Sequence, residues 1–527
     1  MTAADISLPA SSGHPAALRL LLPVAAVLSA LALPVVAVLL HSYDYQHGWV
    51  SAHFATMARS FMENGIFALG GVPVQNNAPL TLLPDAYVNW PPLYPMLLSI
   101  VFRIFGDAEI VQHLFATSIN LALGGLLTAF TYRRFGTTAA SIAAIAFFNA
   151  PILARFGHMG SQLHLAILLC LASLWLFAAA IGQDEGRAGR ARLIGAAGCF
   201  VFAASVLSSW EPVLAVPGLF AVAVFTRDMR GALLSIAYGA CGFLAICAVF
   251  GMYWAQYDYF GDAIIQRIML RAGFDAAYDP AATAIFNSPH FIQETHEPLG
   301  TPGLSYWKRI FMSDILAQGL LGFLGIFLIF KLPVWRRRDP LAYVAAGSIA
   351  IYVLWAVLMR HHMAIHVYEL LLLTPIASIC GGALVAHYLG SDSAVAPGRL
   401  MLASLAVILI AAGTKVPYTL KLLGNENPEQ SAEIQFALQI RNTTEPGSIV
   451  AHADRSMVPV YYSRRHIIRS VWDEATLAEN RTRIEALCTD CPVYLAIPDQ
   501  YLSRFAGFTS KNKPILESGE GAIYRLR

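Results

Sequence analysis

Residues 41–65 read HSYDYQHGWVSAHFATMARSFMENG, with GGVPVQNNAPL following at 70–80 and PDAYVNWPPLYP at 84–95. This polar and aromatic stretch begins where the first long apolar run, residues 17–40, stops. A run of that length crosses a bilayer as a helix, which puts Asp44 at the membrane–water boundary. A carboxylate in that position is a candidate for chemistry. His41, His47 and His53 surround it at six-residue intervals, a spacing with no helical or strand ligand logic.

Outward from this stretch the chain is apolar. Of its 527 residues, 57% are hydrophobic and only 13% charged. Soluble domains carry about 25% charged residues, so the composition is that of a membrane protein. A net charge of +2 with no basic stripe excludes a nucleic-acid binder. Apolar runs near 17–40, 108–132, 137–153, 163–182, 192–208, 212–226, 231–254, 314–332, 341–358, 367–388 and 399–414 predict an all-α polytopic domain of about eleven transmembrane helices over residues 1–420. Arg133 and Arg134, the segment Arg187–Arg192, Arg227 with Arg230, and Arg336–Arg338 fall in short loops at one end of these helices, which the positive-inside rule assigns to the cytoplasm. Loops 41–107 and 255–313, the short loop RHHMAIH at 360–366 and everything after Lys415 then lie on the extracytoplasmic face, that of a bacterial-type inner membrane.

Two of these outer regions have their own structure. In residues 49–63, Val50, Phe54, Met57 and Phe61 recur at helical spacing, predicting an amphipathic helix lying in the membrane interface. Residues 93–105 predict a second apolar helix after Pro91 and Pro92. From residue 421 to 527, helical segments at 428–443 and 473–487 alternate with strand-like SIVAHA, HIIRSV, PVYLAIP and a terminal hairpin at 514–526, the pattern of a small α/β domain. Cys488 and Cys491 flank a two-residue gap there. A local disulfide fits an extracytoplasmic domain, and a zinc site would need two further soft ligands that the neighbourhood lacks.

The candidate site residues cluster on that outer face. Asp44 is a candidate general base; its bland alternative is a solvated helix-end carboxylate. Asp85 and Glu211 are accessory acids or, respectively, a turn-former and a solvated turn residue. Arg360, His361, His362 and His366 form a basic cluster suited to a phosphate or pyrophosphate, with His362 and His366 on one helical face beside Glu369. Arg59 is a further cation able to touch a lipid phosphate or to snorkel. No metal-ligand set is assigned, although a divalent cation is compatible with the acids present.

The order of these features resembles the GT-C glycosyltransferases, and within them the family 39-type group of protein O-mannosyltransferases and lipid A aminoarabinose transferases. The residues that carry the resemblance are Asp44 after the first span, Trp49, Ala52 and Met57–Arg59 in the helix behind it, the Pro91-Pro92-Leu93-Tyr94 turn and RHHMAIHVYELLLLTP at 360–375. It implies a polyprenyl-phosphate-linked sugar as donor, a lipid, glycan or protein acceptor, and Asp44 as the catalytic carboxylate. The chain departs from the group at three places: Tyr45 follows Asp44, Asn89-Trp90 precedes the two prolines in place of Glu-Lys, and LSSWEP at 207–212 has no lysine. A transporter or flippase of lipid-linked sugars is the alternative. Against it, no internal repeat is evident, and the polar residues sit at span ends rather than mid-span.

Overall fold

The computed structural model describes residues 16–39, 42–43, 48–77, 86–183, 185–256, 339–390, 431–454, 456–469, 471–488 and 490–527, with a few isolated positions between them. Two parts are built from these residues: a helical bundle and a C-terminal sheet domain.

The bundle opens with α1 (Ala16–Leu39), which takes the chain to the end that carries the first loop. Helix α2 (Gly48–Asn64) and α3 (Leu93–Phe105) cover that end, and α4 (Glu109–Phe148) leads back into the bundle. Forty helical residues would span about 60 Å, twice a bilayer's hydrocarbon core. The chain instead breaks at Gly136, whose φ of +81° is one that glycine tolerates and other residues resist. Phe148 packs its ring onto Gly124, leaving no room there for a Cβ. Those two residues lie twelve positions either side of Gly136, so α4 is a hairpin of two antiparallel halves, matching the separate runs at 108–132 and 137–153.

After the short α5 (Pro151–Phe156) come α6 (Gln162–Ile181) and α7 (Ala188–Ser208), packed as a pair. A 3-10 turn at Glu211–Leu214 leads to α8 (Ala215–Phe225), and α9 (Met229–Gln256) returns the chain. The bundle continues with α10 (Pro340–Leu358), the single-turn α11 (Arg360–Ile365), a 3-10 stretch at Val367–Leu373 and α12 (Thr374–Gly390). Asp339 caps α10 by accepting from the Leu341 amide and pairs with Arg134 at 2.6 Å. This pair joins the arginine-bearing loops at the end of the bundle away from α2.

Among the described residues, seven helices are long and apolar enough to cross a membrane. Phe200, Phe225 and Leu244 are 77%, 78% and 65% exposed, and α1 carries a stripe of exposed Leu and Val. In water such surfaces would be aggregation sites; facing lipid they are ordinary, and the protein is a multi-pass membrane protein. The predicted spans at 314–332 and 399–414, and nearly all of loop 255–313, fall outside the described residues.

The C-terminal domain begins with α13 (Ala432–Thr443), then β1 (Ile449–His452), α14 (Val458–Ser463), β2 (His466–Ile468), α15 (Glu474–Leu487), β3 (Val493–Pro498) and the hairpin β4 (Leu516–Ser518) and β5 (Gly521–Arg525). The sheet order is β2-β1-β3-β5-β4, parallel across β2-β1-β3 and antiparallel beyond. An Asp473–Thr476 capping box starts α15, and Cys488 and Cys491 form a disulfide at its end.

One expectation is overturned. Helix α2 does not lie amphipathically in the membrane interface. Every residue from Val50 to Phe61 is buried, the polar Ser51, His53, Thr56, Arg59 and Ser60 included. Its apolar face meets the bundle, and its other side is covered by α14 of the C-terminal domain.

Candidate active site

Asp44, His41, His47 and Asp85 lie outside the described residues. The two flanks of the Asp44 segment, Tyr43 and Gly48, are described, and they touch. A Cβ at position 48 would collide with the Tyr43 carbonyl, so only glycine closes this loop. Tyr43 is fully buried and held on several sides. Its amide donates to the Tyr462 hydroxyl at 3.1 Å, its own hydroxyl donates to Gln112 Oε1, and its ring stacks on His113 with centroids 5.6 Å apart. Gln112 in turn donates to the Ser51 carbonyl at 3.0 Å, fixing the start of α2 to the start of α4.

From Trp49, at the start of α2, a run of ring contacts crosses the same end of the bundle. Trp49 meets His366 at 6.2 Å between centroids, His366 meets His362 at 4.2 Å, His362 meets Trp90 at 5.5 Å, and Trp90 meets Trp355 at 6.1 Å. The short helix α11 makes this geometry. Its His366 amide donates to the His362 carbonyl, so both imidazoles leave the same face, as their spacing predicts. His362 Nε2 and Glu369 Oε1 share a hydrogen bond of 3.0 Å, both side chains buried. Arg360 begins the same turn and is half-buried. The side chain of His361 lies outside the described residues.

The turn Asn89–Pro92 is clamped against this cluster. Trp210 Nε1 donates to the Asn89 carbonyl at 2.8 Å, and the Tyr253 hydroxyl donates to the Trp90 carbonyl at 2.7 Å. Glu211 follows Trp210 directly and is fully buried, with Ser209 beside it and no hydrogen bond to either carboxylate oxygen among the described residues. Burying a carboxylate is costly. The solvated-turn reading of Glu211 is therefore set aside.

Arg59 stands apart from this cluster. It is 1% exposed, its Nε pairs with Asp107 at 2.5 Å, one terminal nitrogen donates to the Tyr461 carbonyl at 2.9 Å, and the guanidinium lies 4.2 Å from the centre of the Tyr461 ring. Arg464 of the C-terminal domain binds the same Asp107 at 3.0 Å, and the Tyr461 hydroxyl donates to the Asp107 backbone carbonyl. Burial alone would raise the Asp107 pKa, but the two guanidiniums bring it below its ordinary value of 3.8. Arg59, a candidate to touch a lipid phosphate or to snorkel, clasps the C-terminal domain to the bundle. A cavity of about 460 Å³ lies along this seam, with Ser42, Glu109, Arg441 and Arg464 among its walls.

The basic turn was visible in the sequence, but Asp107 and Trp90 were not. Asp107 is 48 residues from Arg59 and carries no local signal, whereas Trp90 could have been found as an indole locked between Asn89 and two prolines. Among the described residues no three His, Cys, Asp or Glu side chains stand close enough together to hold a metal ion.

No family model and no curated protein matches the chain by sequence. Solved structures match its fold over most of its length. Crystal structures of ArnT from Cupriavidus metallidurans, in the apo state and bound to undecaprenyl phosphate, superpose with a TM-score of 0.63 over 95% of this chain and 97% of theirs, at 15% and 14% identity. The fold is GT-C. The oligosaccharyltransferase of Archaeoglobus fulgidus, tethered to an acceptor peptide, shares the GT-C fold with a TM-score of 0.54 over 93% of this chain and 72% of its own, at 11% identity. The GT-C bundle and the small C-terminal sheet domain correspond to the architecture expected from the order of the motifs.

Proposed function

We propose that the protein is an integral-membrane glycosyltransferase that moves a sugar from a polyprenyl-phosphate donor to an acceptor hydroxyl on the extracytoplasmic face of a bacterial-type inner membrane. Asp44 takes the acceptor's proton as its oxygen attacks the anomeric carbon. The bond from that carbon to the phosphate oxygen breaks in the same displacement, and the lipid phosphate leaves with the electron pair. Inversion at the anomeric carbon follows from the single step. Arg360 with His361, His362 and His366 binds the phosphate and stabilises its growing charge, so no separate general acid is required. Asp85 and Glu211 are accessory acids. Arg59 acts through the clasp rather than on the donor.

The observation that carries this reading is the contact of Trp49 with His366. It joins the helix that follows the Asp44 loop to the turn that bears the basic cluster, at one end of the bundle where a lipid headgroup is met. The seam cavity offers the acceptor a route, since its wall includes Ser42, two residues before Asp44. ArnT, which shares the fold, was solved with undecaprenyl phosphate bound, and this supports a donor of that class. The test is transfer in membranes supplied with a labelled polyprenyl-phosphate sugar. Asp44→Asn should abolish transfer at unchanged protein level, and wild-type transfer by that variant would refute the assignment.

A further inference from the structure

We infer that Trp90 is the sugar platform of the donor site: its indole receives the C–H face of a pyranose whose phosphate is held by the adjoining basic turn. The inference rests on the proposed function and goes further by naming a residue and the kind of sugar surface it takes. Trp90 is immobilised from every direction the backbone allows. The carbonyl before it accepts from Trp210, its own carbonyl accepts from Tyr253, and two prolines follow that fix the chain into α3. The ring is tilted 46° to Trp355 and 49° to His362.

That restraint does not serve burial. Trp90 is only half-buried, while Trp355 beside it is buried. A large, rigid aromatic surface left partly open beside a basic cluster has the composition of a ligand site: an apolar wall with a few polar groups that orient what lies on it. The ligand's polar end is assigned to the adjoining basic turn, which begins with the half-buried Arg360 and meets Trp90 through His362. Its apolar part must be short, because Trp90 is in direct ring contact with His362. In a polyprenyl-phosphate sugar, the group next to the phosphate on the side away from the lipid is the sugar ring, whose axial C–H groups pack on an aromatic face.

The experiment measures binding of undecaprenyl phosphate, bare and carrying glucose, to the purified full-length protein, comparing wild type with Trp90→Ala and Trp90→Phe. The wild type should bind the glucosylated lipid more tightly than the bare lipid. Trp90→Ala should weaken the glucosylated lipid about tenfold and leave the bare lipid unchanged, while Trp90→Phe stays within about threefold of wild type. Equal weakening of both lipids by Trp90→Ala would make Trp90 a purely structural residue and overturn the inference. Equal binding of both lipids by the wild type, or no effect of Trp90→Ala on either, would overturn it as well. A wild type that binds neither lipid would refute the proposed donor itself, a failure distinct from that of the platform.

Discussion

Two arginine-bearing clusters lie at the same end of this molecule, and they are built on opposite principles. Arg59 is bonded to Asp107, which Arg464 also binds, and to the Tyr461 carbonyl, and it lies against the Tyr461 ring. Around Arg360, the turn leads with a half-buried guanidinium, two imidazoles face each other at 4.2 Å, and an indole is left partly open. The first cluster sets two guanidiniums on the one carboxylate of Asp107 and joins two domains. The second gathers imidazole and indole rings around one short turn, with Glu369 hydrogen-bonded to His362. A cation near this end of the bundle is thus not by itself a phosphate site: Arg59 is engaged in a contact between the bundle and the C-terminal domain.

Variants can break or sharpen that contrast. The largest effect expected is on stability. Asp107→Ala leaves Arg59 buried without its counter-ion, which costs about 3–5 kcal/mol, and thermal unfolding should show it as a marked drop in melting temperature with release of the C-terminal domain to proteolysis. Gly48→Ala is next. The added Cβ meets the Tyr43 carbonyl, so the loop holding Asp44 must shift at a cost of about 1–3 kcal/mol, and transfer activity should fall much further than stability does.

Glu369→Gln keeps the shape but weakens the bond that orients His362. Its loss of about 1.5 kcal/mol, or roughly tenfold in donor affinity, should appear in binding with no change in the clasp. The smallest effect is on pH. Because the Asp107 pKa is lowered in the folded protein, the stability it contributes is complete above its unfolded value and is lost as the pH falls through the lower folded value. The gap in melting temperature between wild type and Asp107→Ala should therefore be constant above about pH 4 and shrink below it.

The same contrast explains what the sequence disclosed. Long apolar runs, arginines in the short loops between them, and the alternation of strands and helices in residues 421–527 are local patterns, and the described residues follow them. The facing of His362 and His366 follows from helical spacing alone. Helix α2 shows where such reading stops. The spacing of Val50, Phe54, Met57 and Phe61 identifies one buried face, but nothing local reveals that α14, four hundred residues later, buries the other. The partners of Arg59 were hidden for the same reason, since Asp107 and Tyr461 reach it only through tertiary packing. Glu211 falls between these cases: its place at a span end was readable, but its complete burial was not.

The most direct test of the account is equilibrium binding of undecaprenyl phosphate to the purified protein, with Arg360→Ala set against Arg464→Ala, one arginine from each cluster. Loss of at least about tenfold in affinity for Arg360→Ala, with Arg464→Ala binding as wild type does, is the predicted result. Wild-type binding by Arg360→Ala, or an equal loss in Arg464→Ala, would contradict it.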